Sequence, residues 1–287
     1  MQVTGFLERS ESFLFSFALS LFLGLVISRL AYEHKFLDIP FERKSHSSPV
    51  ALGGGVTLFL SLFLTSMIMG NHYDLLSCAS LIVFVGLVDD MFDLPPGVKL
   101  LFQVILALFW IYRNPISLYG SPILGGAFGI LWIVAITNAF NLIDGIDGLA
   151  SGVALISTLG LIFEGVDYAS ILLGAVLGFF ILNYPPARIF LGDAGSYLLG
   201  SLIGILTLSA IGDFSISSMF KASLMVSFPL IDLLWTILRR WVKGKPITLA
   251  DDQHIHHLLK KRFGGKKALL FLLLLHGVFV SIGVWCL

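Results

Sequence analysis

The chain has 287 residues, of which 57% are hydrophobic and 13% charged, with a mean hydropathy of +0.94. Soluble domains carry roughly 25% charged residues, so a soluble globular protein and a disordered chain are both excluded. The 18 basic and 18 acidic residues balance, and a pI of about 7.1 argues against a basic nucleic-acid binder.

A bilayer-spanning helix takes about 20 mostly apolar residues. About ten such runs lie near 12–30, 51–70, 75–88, 98–112, 123–140, 148–163, 168–184, 195–211, 218–238 and 268–286. They predict an all-α, polytopic bundle, a single transmembrane domain over 1–287. The first run follows Glu8 and Glu11, with no basic segment or small-residue cleavage site before it, so a retained helix is expected. Cys78 and Cys286 sit in apolar runs and suggest neither a disulfide framework nor a metal site.

With an even number of spans, both termini share a side. Of the 18 Lys and Arg residues, 15 fall in the loops after spans one, three, five, seven and nine or at their helix ends. Only Arg9, Arg113 and Lys221 fall opposite. The positive-inside rule then puts both termini outside and the odd-numbered loops in the cytoplasm. Asp89, Asp90, Asp93, Asp144, Asp147, Asp193, Asp251 and Asp252 sort to the same side, so any chemistry is expected at the cytoplasmic face.

The first cytoplasmic loop carries Arg43, Lys44 and His46 before Gly53-Gly54-Gly55. It reads equally as a basic loop on anionic lipid head groups or as a phosphate-contacting loop. The second sets Asp89 and Asp90 at the C-terminal end of an apolar helix, the wrong end for negative charge. A solvated helix end would tolerate them; so would a role with Mg²⁺ or as a general base. Lys99 opens the next helix and could neutralise a phosphate.

The third loop is the densest, running from Asn138 through Asn141, Asp144-Gly145 and Asp147-Gly148. Asn138 and Asn141 are three apart and share a helix face. So many polar groups at a membrane edge exceed what a turn and a cap require. In the fourth, Asp193 precedes span eight, as a plain N-cap would, or offers oxygen to a hard cation. The fifth ends in His254, His256 and His257, whose spacing suits phosphate donors at least as well as zinc. Asp232, inside span nine, is placed two turns before Arg239 and Arg240 and has no assigned role; His34, His72 and His276 receive none.

Together these loops put hard-cation ligands, phosphate-binding cations and aromatics on one face, as phosphoryl transfer from a nucleotide requires. In this order they resemble the polyprenyl-phosphate N-acetylhexosamine-1-phosphate transferase superfamily, glycosyltransferase family 4. The similarity runs over nearly the whole chain and is greatest to the bacterial branch acting on UDP-GlcNAc and undecaprenyl phosphate. It rests on Asp89-Asp90 with Asp93, Asn138 through Leu149, Phe190 through Ser196, and His254 through His257.

The resemblance implies roles. Asp193 would bind Mg²⁺ (or Mn²⁺) on the donor pyrophosphate with Asn141 as a partner, and Phe190 would stack on uracil with Asp147 near its edge. Asp89 or Asp90 would deprotonate the lipid phosphate, or Asp89 would act as nucleophile. Lys99, His254, His256 and His257 would hold phosphates, and Asn138 and Asp144 would lie in the same pocket. The implied partners are a UDP-N-acetylhexosamine, undecaprenyl phosphate and membrane lipids, with no nucleic acid and with a homodimer left open. The implied location is the bacterial inner membrane.

Two departures stand out. Pro49-Val50-Ala51-Leu52 lacks the arginine that often follows His46 in the family, and Leu258 replaces an arginine after the histidines. The short segment between Asp93 and Lys99 speaks against a UDP-MurNAc-pentapeptide donor. A UDP-linked 2-acetamido-deoxyhexose other than GlcNAc stays open. A secondary transporter would carry ionisable groups inside its spans, whose interiors here are nearly free of charge apart from Asp232. The Asp-Gly/Ala-Arg signature of CDP-alcohol phosphotransferases does not fit the 144–151 stretch.

Overall fold

The computed structural model describes residues 2–39, 49–69, 72–211, 215–244 and 253–286. Arg43, Lys44 and His46 lie outside the described residues, as do Lys245, Asp251 and Asp252.

Every predicted apolar run falls on helix: α1 (Gln2–Glu33), α2 (Gly54–Met69), α3 (Tyr73–Phe92), α4 (Pro96–Arg113), α5 (Pro122–Ile143), α6 (Leu149–Phe163), α7 (Tyr168–Asn183), α8 (Gly192–Ala210), α9 (Ile216–Met225), α10 (Ser227–Val242) and α12 (Gly265–Trp285). Another helix, α11 (Ile255–Phe263), lies in the fifth loop. Six of these (α1, α3, α4, α5, α8 and α12) are long and apolar enough to cross a membrane, whereas α2, α6 and α7 are shorter apolar helices.

Span nine is not one helix. α9 and α10 meet at 94°. Pro229 has no N–H to give the carbonyl of Met225, so the helix ladder breaks there. That carbonyl instead accepts the Ser157 hydroxyl at 2.7 Å.

The bundle is not purely α-helical either. Three short strands form a sheet in the order β1 (Leu37–Asp38), β2 (Val50–Leu52), β3 (Ile189–Phe190). β1 and β2 are antiparallel, β2 and β3 parallel, with Leu52 opposite Phe190. Apolar periodicity marks spans and is blind to strands of two or three residues.

α8 is the axis of the fold, buried without interruption from Ala194 to Leu208 and packed on α3 and α5. α1 lies along α7, where Ser16 and Ser20 donate to the carbonyls of Ile171 and Ala175 at 2.8 and 2.7 Å. Small hydroxyl residues let helix backbones approach and bond where no water competes.

The helices alternate so that charge collects at two ends. At one end Arg9 pairs with Asp167, Arg113 with Asp74 at 3.2 Å and Lys221 with Glu164 at 2.8 Å. These are the three basic residues that the sequence sets apart from the other 15. At the opposite end lie the C-termini of α3, α5 and α7, the N-termini of α4, α6 and α8, the sheet and α11.

Candidate active site

That second end holds a cavity of about 720 Å³, lined by Asp38, Leu52, Asp89, Asp90, Asn141, Asp144, Gly145, Ile146, Asp147, Asn183, Phe190, Gly192, Asp193, His257, Lys260 and Lys261. It brings together residues from all the predicted cytoplasmic loops.

Asp193 is not the cap of α8. The α8 N-terminus is capped from α3: the Asp90 carboxylate accepts the N–H of Asp193 at 2.7 Å and of Ala194 at 3.2 Å. A carboxylate at a helix N-terminus meets unpaired N–H groups and the positive end of the dipole. Gly192 makes this approach feasible, since its φ is +70° and a Cβ there would come within 2.7 Å of an Asp90 oxygen. The Asp193 carboxylate is thereby left for other partners. Asn141 donates to its Oδ1 at 2.6 Å and to Ser196 Oγ at 3.0 Å, fixing a bridge from α5 to α8.

Asp89 is buried and fully engaged. Lys99 Nζ sits 2.8 Å from its Oδ1, the N–H of Leu94 donates to the same oxygen at 2.9 Å, and the Tyr197 hydroxyl donates to Oδ2 at 2.9 Å. Asp93, whose own backbone closes α3 in the left-handed region at φ 49°, lies 3.8 Å from Lys99. The pair predicted from sequence therefore divides its work: Asp89 is held by a lysine, and Asp90 builds the start of α8.

The Asp144–Asp147 turn crosses the floor. Asp147 Oδ2 accepts the N–H of Ala187 at 3.1 Å. Burial, then the charges of Asp193, Asp90 and Asp147, pushes the Asp144 carboxyl up to about 8. The acids thus outweigh the cations that face them, and a donor set of carboxylates and an amide oxygen suits a hard divalent cation. Phe190 lines the cavity from β3, beside Leu52 of β2.

The histidines separate. His257 lines the cavity, and burial together with His256, His254 and Lys260 lowers it to about 4, so it is a neutral imidazole at pH 7. His254 and His256 are buried behind it. His254 Nδ1 is 3.1 Å from Asp232 Oδ2, and the N–H of Ile255 donates to Asp232 Oδ1 at 2.7 Å. Asp232, which the sequence sets near Arg239 and Arg240, thus anchors the start of α11. Asn138 does not line the cavity: its amide donates to Gln103 Oε1 at 2.5 Å, tying α5 to α4.

Several residues here had no predicted role. Asn183 accepts the N–H of Gly148 and the Ser151 hydroxyl at 3.1 and 2.7 Å and donates to the carbonyl of Ile189, clamping three loops. Tyr197 is four residues beyond Asp193 and Lys260 three beyond His257, spacings that share a helix face and could have flagged both. Lys260 also reaches the carbonyl of Gly145 at 3.3 Å. Asp38 and Lys261 complete the rim.

Residues 72–211 match the family model described as glycosyl transferase family 4. The undecaprenyl-phosphate alpha-N-acetylglucosaminyl 1-phosphate transferase of Thermotoga maritima is 33% identical over 268 residues, covering 93% of this chain and 87% of its own. A probable undecaprenyl-phosphate N-acetylglucosaminyl 1-phosphate transferase of Bacillus subtilis is 31% identical, covering 88% and 78%. The enzyme of the first name from Escherichia coli strain K12 is 32% identical, covering 89% and 78%.

Proposed function

The chain belongs to glycosyl transferase family 4, and on that premise we propose that it transfers GlcNAc 1-phosphate from UDP-GlcNAc to undecaprenyl phosphate, releasing UMP. The observation that carries this reading is the acid-rich cavity at one end of an apolar bundle, which gathers Asn141, Asp147, Phe190, Asp193 and His257 from separate segments. A secondary transporter would need its ionisable groups along a path between both ends.

In the proposed reaction an oxygen of the lipid phosphate attacks the β-phosphorus of UDP-GlcNAc. The bond to the bridging oxygen breaks, and UMP leaves with that oxygen and its electron pair. A phosphate monoester has a second pKa near 6, so the nucleophile is largely ionised at neutral pH. Asp89 already accepts from Lys99, Tyr197 and Leu94, so both its oxygens are engaged. Its role here is to present Lys99 to a phosphate. Asp90 holds the α8 terminus and so places Asp193. Phe190 supplies a face for uracil, while His257, Lys260 and Lys261 meet phosphate charge.

Mg²⁺ is the metal we assign: Asp193 would hold it with Asn141 beside it, and it would supply neutralisation of the charge developing on the leaving phosphate. The acid-rich lining, with Asp144 pushed up to about 8, supports that assignment.

We further propose ten crossings with both termini outside and the cavity at the cytoplasmic face of the inner membrane. The sorting of 15 of the 18 basic residues to the loops after the odd-numbered spans supports this sidedness. The short helices α2, α6 and α7, of 16, 15 and 16 residues, are among the crossings, and α9 with α10 forms a broken one.

The deciding experiment measures UMP release by purified protein from a panel of UDP-sugars with undecaprenyl phosphate. UDP-GlcNAc should be turned over best, and only with Mg²⁺ or Mn²⁺. Preference for UDP-MurNAc-pentapeptide, or no dependence on the lipid phosphate, would overturn the reading.

A further inference from the structure

Behind the cavity wall, Asp232, His254 and His256 converge from α10, the residue before α11 and α11 itself. Asp232 and His256 are 0% exposed and His254 is 4% exposed. One ligand atom from each lies within 4.8 Å of the others, and among the described residues no other group of histidine, cysteine or acidic side chains converges this way. His254 Nδ1 and His256 Nδ1 stand 3.1 and 3.4 Å from Asp232 Oδ2. Ligand bonds of about 2.0–2.1 Å at tetrahedral angles set donor atoms about 3.3–3.5 Å apart, which is this spacing.

Hydrogen bonding accounts for only part of the cluster. His254 Nδ1 also lies 3.1 Å from Thr236 Oγ1, and Asp232 Oδ1 accepts from Ile255. His256 is different: buried as it is, neither ring nitrogen has a hydrogen-bond partner. A buried imidazole left this way lacks what a cation would supply. The N–H of Ile255, held by the other oxygen of Asp232, then acts as the outer partner that orients a metal ligand, while a cation on His254 Nδ1 takes the place of its contact with Thr236.

We propose that Asp232, His254 and His256 form a binding site for a borderline divalent cation of the zinc class, distinct from the hard-cation site at Asp193. Two imidazoles and a carboxylate favour such a cation over Mg²⁺. Bound there, it would tie α11 to α10 and leave a net positive charge one layer behind Gly145, where a Cβ would come within 2.6 Å of His256 Nε2. Metal binding at this site does not depend on which sugar is transferred, so the two readings fail separately.

The test uses the full chain, purified and stripped with chelator, then loaded with Zn²⁺ or Co²⁺ alone. The expected result is about one equivalent of zinc retained per chain after desalting, a rise in melting temperature on adding Zn²⁺, and the intense visible bands of tetrahedral Co²⁺. His256→Ala and Asp232→Ala should lose the bands, and Asp193→Asn should keep them. A wild-type protein that retains no zinc and shows no bands overturns the proposal, whatever the variants do. Bands that survive His256→Ala but vanish in Asp193→Asn overturn it by moving the cation to the cavity.

Discussion

The two ends of the bundle handle charge in opposite ways. At one end each of the three basic residues meets an acid, Arg9 with Asp167, Arg113 with Asp74 and Lys221 with Glu164. At the other, Asp89, Asp90, Asp144, Asp147 and Asp193 share one cavity and repel one another. The first arrangement offsets each basic charge locally. The second stores unbalanced field that a cation and a phosphorylated substrate can relieve. Pairing is therefore the mark of an inert end here, and crowding of like charge the mark of a working one.

The sharpest way to break this comparison is to remove charge from each end. Asp193→Asn should lower UMP release by at least about 10³-fold, the scale on which electrostatic groups at a reacting centre act. Asp74→Asn at the paired end should leave turnover within about twofold; equal losses would erase the distinction.

Next in size is Phe190→Leu. Base–aromatic stacking is worth about 1–3 kcal/mol, so KM for UDP-GlcNAc should rise about tenfold or more with kcat little changed. A loss confined to kcat would remove the uracil role.

A third test follows from Asp144. Its carboxyl is raised above its unfolded value, so the folded state holds more protons than the unfolded one across that interval, and stability falls as pH climbs through it. Mg²⁺ opposes that penalty only once the proton has left. The Mg²⁺-induced rise in melting temperature should thus be larger at pH 8 than at pH 6.5. An equal or smaller rise at pH 8 would show that the cavity acids are not crowded as described.

The smallest effects belong to the paired end. Lys221→Met strands Glu164, whose side chain is 16% exposed, and should lower the melting temperature by a few degrees. Arg9→Gln breaks a pair with exposed partners and should shift it by less than about one degree.

Much of this was legible in the sequence. Apolar runs located the helices because the bilayer forbids charge along them, and the same rule swept the acids into loops that proved to line one cavity. What periodicity could not give was partnership. Asp89 and Asp90 are adjacent and chemically identical, and only the fold separates a carboxylate held by Lys99 from one that caps α8. His254 and His257 likewise read as one motif, though Asp232 draws the first inward while the second faces the cavity. The break at Pro229 was readable in principle, since a proline without an N–H lies within an otherwise unbroken apolar run.

One feature bears on how the protein is made. The cavity wall starts at Asp38 and is completed only by His257, Lys260 and Lys261. Chains emerge from the ribosome N-terminus first. A chain interrupted after α8 would carry every aspartate of the cavity and none of the basic wall that faces them. On the function proposed above, the full cavity that would receive a nucleotide sugar is complete only when the last helices are inserted.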